Sequence, residues 1–89
     1  MRKAELNKII EEGINRDKAF LAVKIMTEGN PTPEIIINHA ESIPQKRAYY
    51  NKAYNDDLEL ITAKNSGKLI RIEDALATSN LFDLSWFAY

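Results

Sequence analysis

Ala19-Phe20-Leu21-Ala22-Val23-Lys24-Ile25-Met26 is the run whose reading decides the fold. Lys24 is its only charge, so the segment is apolar on nearly every side and other elements have to enclose it. Periodicity does not separate a buried helix from a buried strand in so short a run. The length of the surrounding Arg16–Glu28 segment and its alanines favour a helix. A Met and aromatic cluster of this kind belongs to a core.

Upstream, Leu6, Ile9, Ile10 and Ile14 form a narrow stripe over Arg2–Ile14, with Glu5, Lys8, Glu11 and Glu12 off it. That pattern is an amphipathic surface helix. Gly13 offers a stop and Asn15 a fresh cap, although one helix running through Gly13 would cost only about 1 kcal/mol. Downstream, Gly29-Asn30-Pro31 breaks the chain. Thr32-Pro33-Glu34 then reads as a helix start, with a capping hydroxyl, proline at the first position and an acid near the positive dipole end. The third helix runs from Pro33 to about Glu41 and points Ile35, Ile36 and Ala40 inward, with His39 beside them as a partly buried, hydrogen-bonded histidine.

Pro44–Ala63 reads as the longest helix, and the others pack around it. Tyr50, Ala53, Tyr54, Leu58 and Ile61 fall along one stripe at helical pitch. Ser42 and Gln45 have capping-box spacing, and Asn65-Ser66-Gly67 supplies the stop. Asp57 interrupts the stripe and needs a salt-bridge partner or an exposed position, because a carboxylate buried alone costs several kcal/mol. Beyond Gly67, Leu69–Ile72 reads as a short strand or as a link into a helical turn at Ile72–Thr78. A rival reading joins Leu58–Ala63 and Lys68–Glu73 as a hairpin and truncates the long helix after Asp57. Asn80 can cap a last short helix, but the same residues also alternate as a strand, with Phe82, Leu84 and Trp86 on one side and Asp83 and Ser85 on the other; Phe82, Trp86, Phe87 and Tyr89 crowd the final residues.

These readings add up to an all-α fold: a small bundle of four to five helices with irregular packing, with one short hairpin near residues 58–73 as the variant. The expected organisation is a single helical domain over residues 1–89, the aromatic segment 80–89 docking on its own core or on a partner. Length supports one domain near the lower limit for a self-sufficient core. A composition of 45% apolar and 28% charged residues is that of a globular chain.

Composition also narrows the chemistry. Without cysteine there is no disulfide, thiolate zinc site or nucleophilic thiol. His39 is the sole histidine and has no second ligand at metal-binding spacing. Asp56 and Asp57 would diverge by about 100° on a helix and could not chelate one ion together. The glycines are scattered and build no phosphate loop. No enzyme activity, cofactor or metal is therefore expected.

Twelve basic residues against thirteen acidic ones, spread evenly along the chain, are not the footprint of bulk nucleic-acid binding. No run approaches the roughly 20 apolar residues of a membrane span, and no signal peptide is recognisable, so a cytoplasmic protein is expected. Heavy use of Ile, Lys and Asn is common among short phage and prophage proteins.

What remains is contact with macromolecules. The sequence points to a non-enzymatic protein–protein interaction module (an adaptor, inhibitor or regulatory subunit) with Tyr49, Tyr50, Tyr54, Phe82, Trp86 and Phe87 as partner-binding residues. A homodimer in which each copy covers the other's tail is one form of that reading. The alternative is a helix-turn-helix DNA-binding regulator reading bases through the 33–41 helix, with Asn38, Lys46 and Arg47 as nucleic-acid contacts.

Overall fold

The apolar run is a strand. In the computed structural model, which describes residues 1–88, Phe20–Thr27 is extended and forms β1. Leu21, Val23 and Ile25 lie on one side of it and Phe20, Ala22, Lys24 and Met26 on the other. Leu21, Ala22 and Val23 are all fully buried, so both sides of the strand are covered.

The elements follow in the order α1 (Lys3–Asn15), β1, β2 (Glu34–His39), a 3-10 turn (Ala40–Ser42), α2 (Ile43–Ala53), α3 (Ile61–Asn65), β3 (Ile70–Thr78) and α4 (Leu81–Phe87). The strands form one antiparallel sheet in the order β2-β1-β3. The domain is therefore α+β, and the expected all-α helical bundle is overturned by this sheet.

The main core lies on one sheet face. Leu6 and Ile10 of α1 and Ile43 and Tyr50 of α2 pack there on Leu21, Val23, Ile25, Ile72 and Ala75. Lys24 projects from the opposite face, its ammonium 4.9 Å from the Phe87 ring centre, which puts α4 over that side. A central strand with helices on both faces is apolar on both faces, and this is why it resembles a buried helix in sequence.

The third expected helix is also a strand. Ile35, Ile36 and Ile37 are β-branched and favour the pleated surface, and Pro33 stands at the strand's threshold, where prolines are tolerated. Gly29, with φ of 86°, and an Asx contact from Thr32 N–H to Asn30 Oδ1 (3.0 Å) make the connecting turn.

β3 hides its period by a bulge. Lys24 pairs with Asp74 and Ile25 with Ile72, so Glu73 is an extra residue. Ile72 and Ala75 consequently both face the core at a spacing of three, which imitates a helical turn over Ile72–Thr78.

The long helix at 44–63 is broken in the middle. α2 ends at Ala53, and the side chain of Asn55 takes over from the helical ladder: its Oδ1 accepts from the N–H groups of Asp57 and Glu59, each at 3.0 Å. Leu58 is left-handed there (φ 59°), a conformation that costs roughly 1–2 kcal/mol, and its side chain is fully buried in compensation. The break turns Asp57 out into solvent, where it pairs with Arg2 at 3.6 Å. The hairpin reading comes nearer to the structure. Leu60 N–H donates to Ile70 C=O (2.7 Å) and Ile72 N–H to Leu58 C=O (2.9 Å), but α3 forms the connection. Ser42 precedes α2 without a side-chain capping bond, so the expected capping box is not made, whereas Pro44 does sit in the first turn.

α1 runs through Gly13 to Asn15, and Asp17 beyond it, with φ of 55°, closes a Schellman pattern: Lys18 N–H donates to Gly13 C=O and Asp17 N–H to Ile14 C=O. Gly13 serves a close approach instead of a stop, because a Cβ built on it would lie 2.7 Å from the Ala77 Cβ on β3. Gly13→Ala gains about 1 kcal/mol of helix propensity, yet overpacking should outweigh it and lower stability by roughly 1 kcal/mol net. Urea denaturation checks this, and in an Ala77→Gly background the same substitution becomes neutral or stabilising.

Candidate functional site

The sequence-predicted contact residues fall into two separate groups. Tyr49, Tyr50 and Tyr54 come together around the C-terminal half of α2, with ring centres 5.5 to 6.3 Å apart and edge-on. Tyr50 and Tyr54 are buried in the core, and only Tyr49 keeps a surface, with the Lys46 ammonium 5.6 Å from its ring centre. The cluster therefore holds α2 to the sheet and presents a single ring and a cation outside.

Asn38 explains why. It sits on the core side of β2 and is 4% exposed; its Nδ2 donates to the Tyr50 hydroxyl and to Leu21 C=O, both at 3.3 Å. The same amide thus links β2, β1 and α2. The expected 33–41 recognition helix is this strand, and its one candidate base reader is consumed inside the protein. Lys46 and Arg47 lie on α2, away from any helix-turn-helix. His39 is exposed and edge-on to Phe20 at 5.5 Å, which corrects the expectation of a partly buried, hydrogen-bonded side chain.

Phe82, Trp86 and Phe87 occupy α4, and its local sequence dictates how they are displayed. Asn80 Oδ1 accepts from Phe82 N–H (2.9 Å) and caps the helix. Thr78 Oγ1 donates to Asp83 (2.7 Å) and accepts from Asn80 N–H (3.0 Å), while Ser79 Oγ accepts from Ala19 N–H (3.0 Å). These bonds fix the entry to α4 against the ends of β3 and β1. Leu84 is buried and Phe87 half-buried under Lys24. Phe82 and Trp86, four residues apart, share the opposite side and are 78% and 79% exposed, next to Leu81 at 69%. Leu81 was not singled out in the sequence. Its place at the first position of a capped helix, at the chain end of the turn where little can cover it, was the signal that could have found it. Tyr89 lies outside the described residues.

Among the described residues no group of three His, Asp or Glu side chains is placed to hold a metal ion, and no helix is long and apolar enough to cross a membrane. The hollow between α1 and β3, about 290 Å³, has an apolar floor of Ile9, Ala75 and Ala77 under a charged rim of Glu12, Arg16 and Lys18. It is shaped by the close Gly13 contact. The architecture defines the chain as a small α+β domain with helices on both faces of a three-stranded antiparallel sheet. No protein-family model matches the chain, and no curated protein or solved structure matches it either.

Burial, with smaller contributions from Tyr49, Tyr50 and Glu34, pushes the Tyr54 hydroxyl up to about 12 from its ordinary 10.0. Burial also raises Tyr50. Because the folded-state value is raised, the associated stability is complete below pH 10 and is lost as pH rises towards 12. Urea midpoints measured across that window should fall for the native chain and fall less for Tyr54→Phe, which has no proton to lose.

Proposed function

We propose that the chain is a small non-enzymatic protein–protein interaction module, an adaptor, inhibitor or regulatory subunit, that meets its partner through the outward side of α4. The observation that carries this reading is the exposure of Leu81, Phe82 and Trp86 on one short helix. Large aromatic side chains left in water are unfavourable for the isolated chain, at about 25 cal/mol per Å² of apolar area, and the same area becomes available to a partner. Trp supplies more interface hot spots than almost any other residue.

Presentation matters as much as exposure. The Asn80 cap and the Thr78–Asp83 bond hold α4 before any partner arrives, so less ordering cost is left for binding. A chain without cysteine fits a reducing compartment, and the reading includes a cytoplasmic location.

Phe82→Ser and Trp86→Ser, singly and together, test this. Each removes exposed area only, so stability should change by no more than about 0.5 kcal/mol. Binding to the partner recovered with the native chain from its source cell should drop at least roughly tenfold in the double variant. Unchanged affinity for that partner would rule α4 out as the contact.

A further inference from the structure

The two edges of the sheet are treated differently. Along β3, residues 58–60 cover the first half, the Glu73 bulge bends the strand, and Arg71, Glu73 and Asp74 line it with exposed charge. All three are devices that discourage pairing with another chain. β2 has no cover and no bulge, and its single formal charge, Glu34, stands at its first position. Among the described residues it pairs only with β1, in a register without a bulge, and it carries Ile35, Ile36 and Ile37 in succession, Ile37 being 46% exposed.

The phase of the ladder shows which backbone groups are open. Ala40 N–H donates to Ala19 C=O at 2.9 Å, so alternate residues from Ala40 back to Glu34 bond to β1. Ile35, Ile37 and His39 therefore turn their N–H and C=O groups away from the sheet.

We propose that this edge is a dimer interface: a second copy of the chain adds its own β2 antiparallel to this one about a twofold axis at Ile36. The strand is complementary to itself in that register. Ile36 meets Ile36 of the other copy on the core side, and Ile35 meets Ile37 of the other copy, in both directions, on the α4 side. Each Ile35–Ile37 position exchanges two backbone hydrogen bonds, and apolar β-branched pairs are favourable across strands. An axis at Ile37 would instead set Ile36 against the buried Asn38 and Ile35 against His39.

Charge agrees with the chosen pairing. It sets Glu34 of each copy opposite Asn38 of the other, at the end of β2 that leads into α2, whose first turns carry the cations Lys46 and Arg47. A twofold contact closes on itself, and the shielded β3 edges stop the sheet at two copies. The inference goes beyond the contact assigned to α4 and does not depend on it.

The chain has no cysteine, so a single introduced thiol reports the register. Residues opposite each other in a non-hydrogen-bonded antiparallel pair have Cα atoms about 4.5 Å apart, within disulfide reach. Ile36→Cys should oxidise to a covalent dimer, and Ile37→Cys should do so at least roughly tenfold more slowly. In sedimentation velocity over a wide concentration range the native chain should dimerise, and Phe82→Ser/Trp86→Ser should dimerise equally well. Ile37→Lys, at a half-exposed position, should weaken self-association at least roughly tenfold. A native chain monomeric throughout, or Ile36→Cys reacting no faster than a Ser66→Cys surface control, would overturn the proposal. So would β2 amides protected from hydrogen exchange only when a foreign chain is present, which would assign the edge to another protein. Loss of the dimer in the Phe82/Trp86 variant would overturn it too, by moving self-association to α4.

Discussion

β1 has to be covered on both faces, and the rest of the structure is the means of covering it. Leu21, Val23 and Ile25 require one apolar layer and Phe20, Ala22 and Met26 another. α1 and α2 supply the first through Leu6, Ile10, Ile43 and Tyr50; α4 contributes to the second through Leu84 and Phe87. Its neighbours β2 and β3 satisfy its backbone on both sides. Among the described residues no other segment is enclosed so completely, and losing either layer would expose the centre of the sheet.

Polar side chains decide how those layers are joined. The Asn38 amide, held between Leu21 C=O and the Tyr50 hydroxyl, fixes α2 against β2 and β1 with no unsatisfied buried side-chain group among the described residues. Asn7 and Asn51 exchange amide bonds at 2.8 Å and fix α1 against α2. Asn55 ends the helical course after α2 and sends residues 58–60 along the edge of β3. That one turn thereby shields the first half of the β3 edge.

What stays uncovered follows from the same economy. α4 is short, and the side that does not touch the sheet is nearly as apolar as the side that does. A helix of this kind cannot bury both sides on a single sheet. The outward Phe82 and Trp86 and the bare edge of β2 are two independent surfaces, one read from side chains and one from backbone.

By itself the sequence determined the punctuation and the apolar inventory. The amphipathic α1 stripe, the break at Gly29-Asn30-Pro31, the stop at Gly67, the Asn80 cap and the core roles of Leu6, Ile10 and the 19–26 run were legible, because each follows from local sterics or from hydrophobicity alone. The aromatic content of α4 was legible too, but which rings face water was not, since that depends on how the helix lies on the sheet. Tertiary structure decided that β1 and β2 are strands. A segment buried on both sides shows no period to tell strand from helix, and the Ile35–Ile37 run needed a neighbouring strand to make extension favourable. It also decided β3, where the bulge shifted the period to three, and the fate of Asp57, where a side-chain amide outcompeted the helix for the backbone. The strands rest on partners distant in the chain, of which local propensity carries no record; the Asn55 turn is a local contact, and the left-handed Leu58 it requires is offset by burial of that side chain in the core.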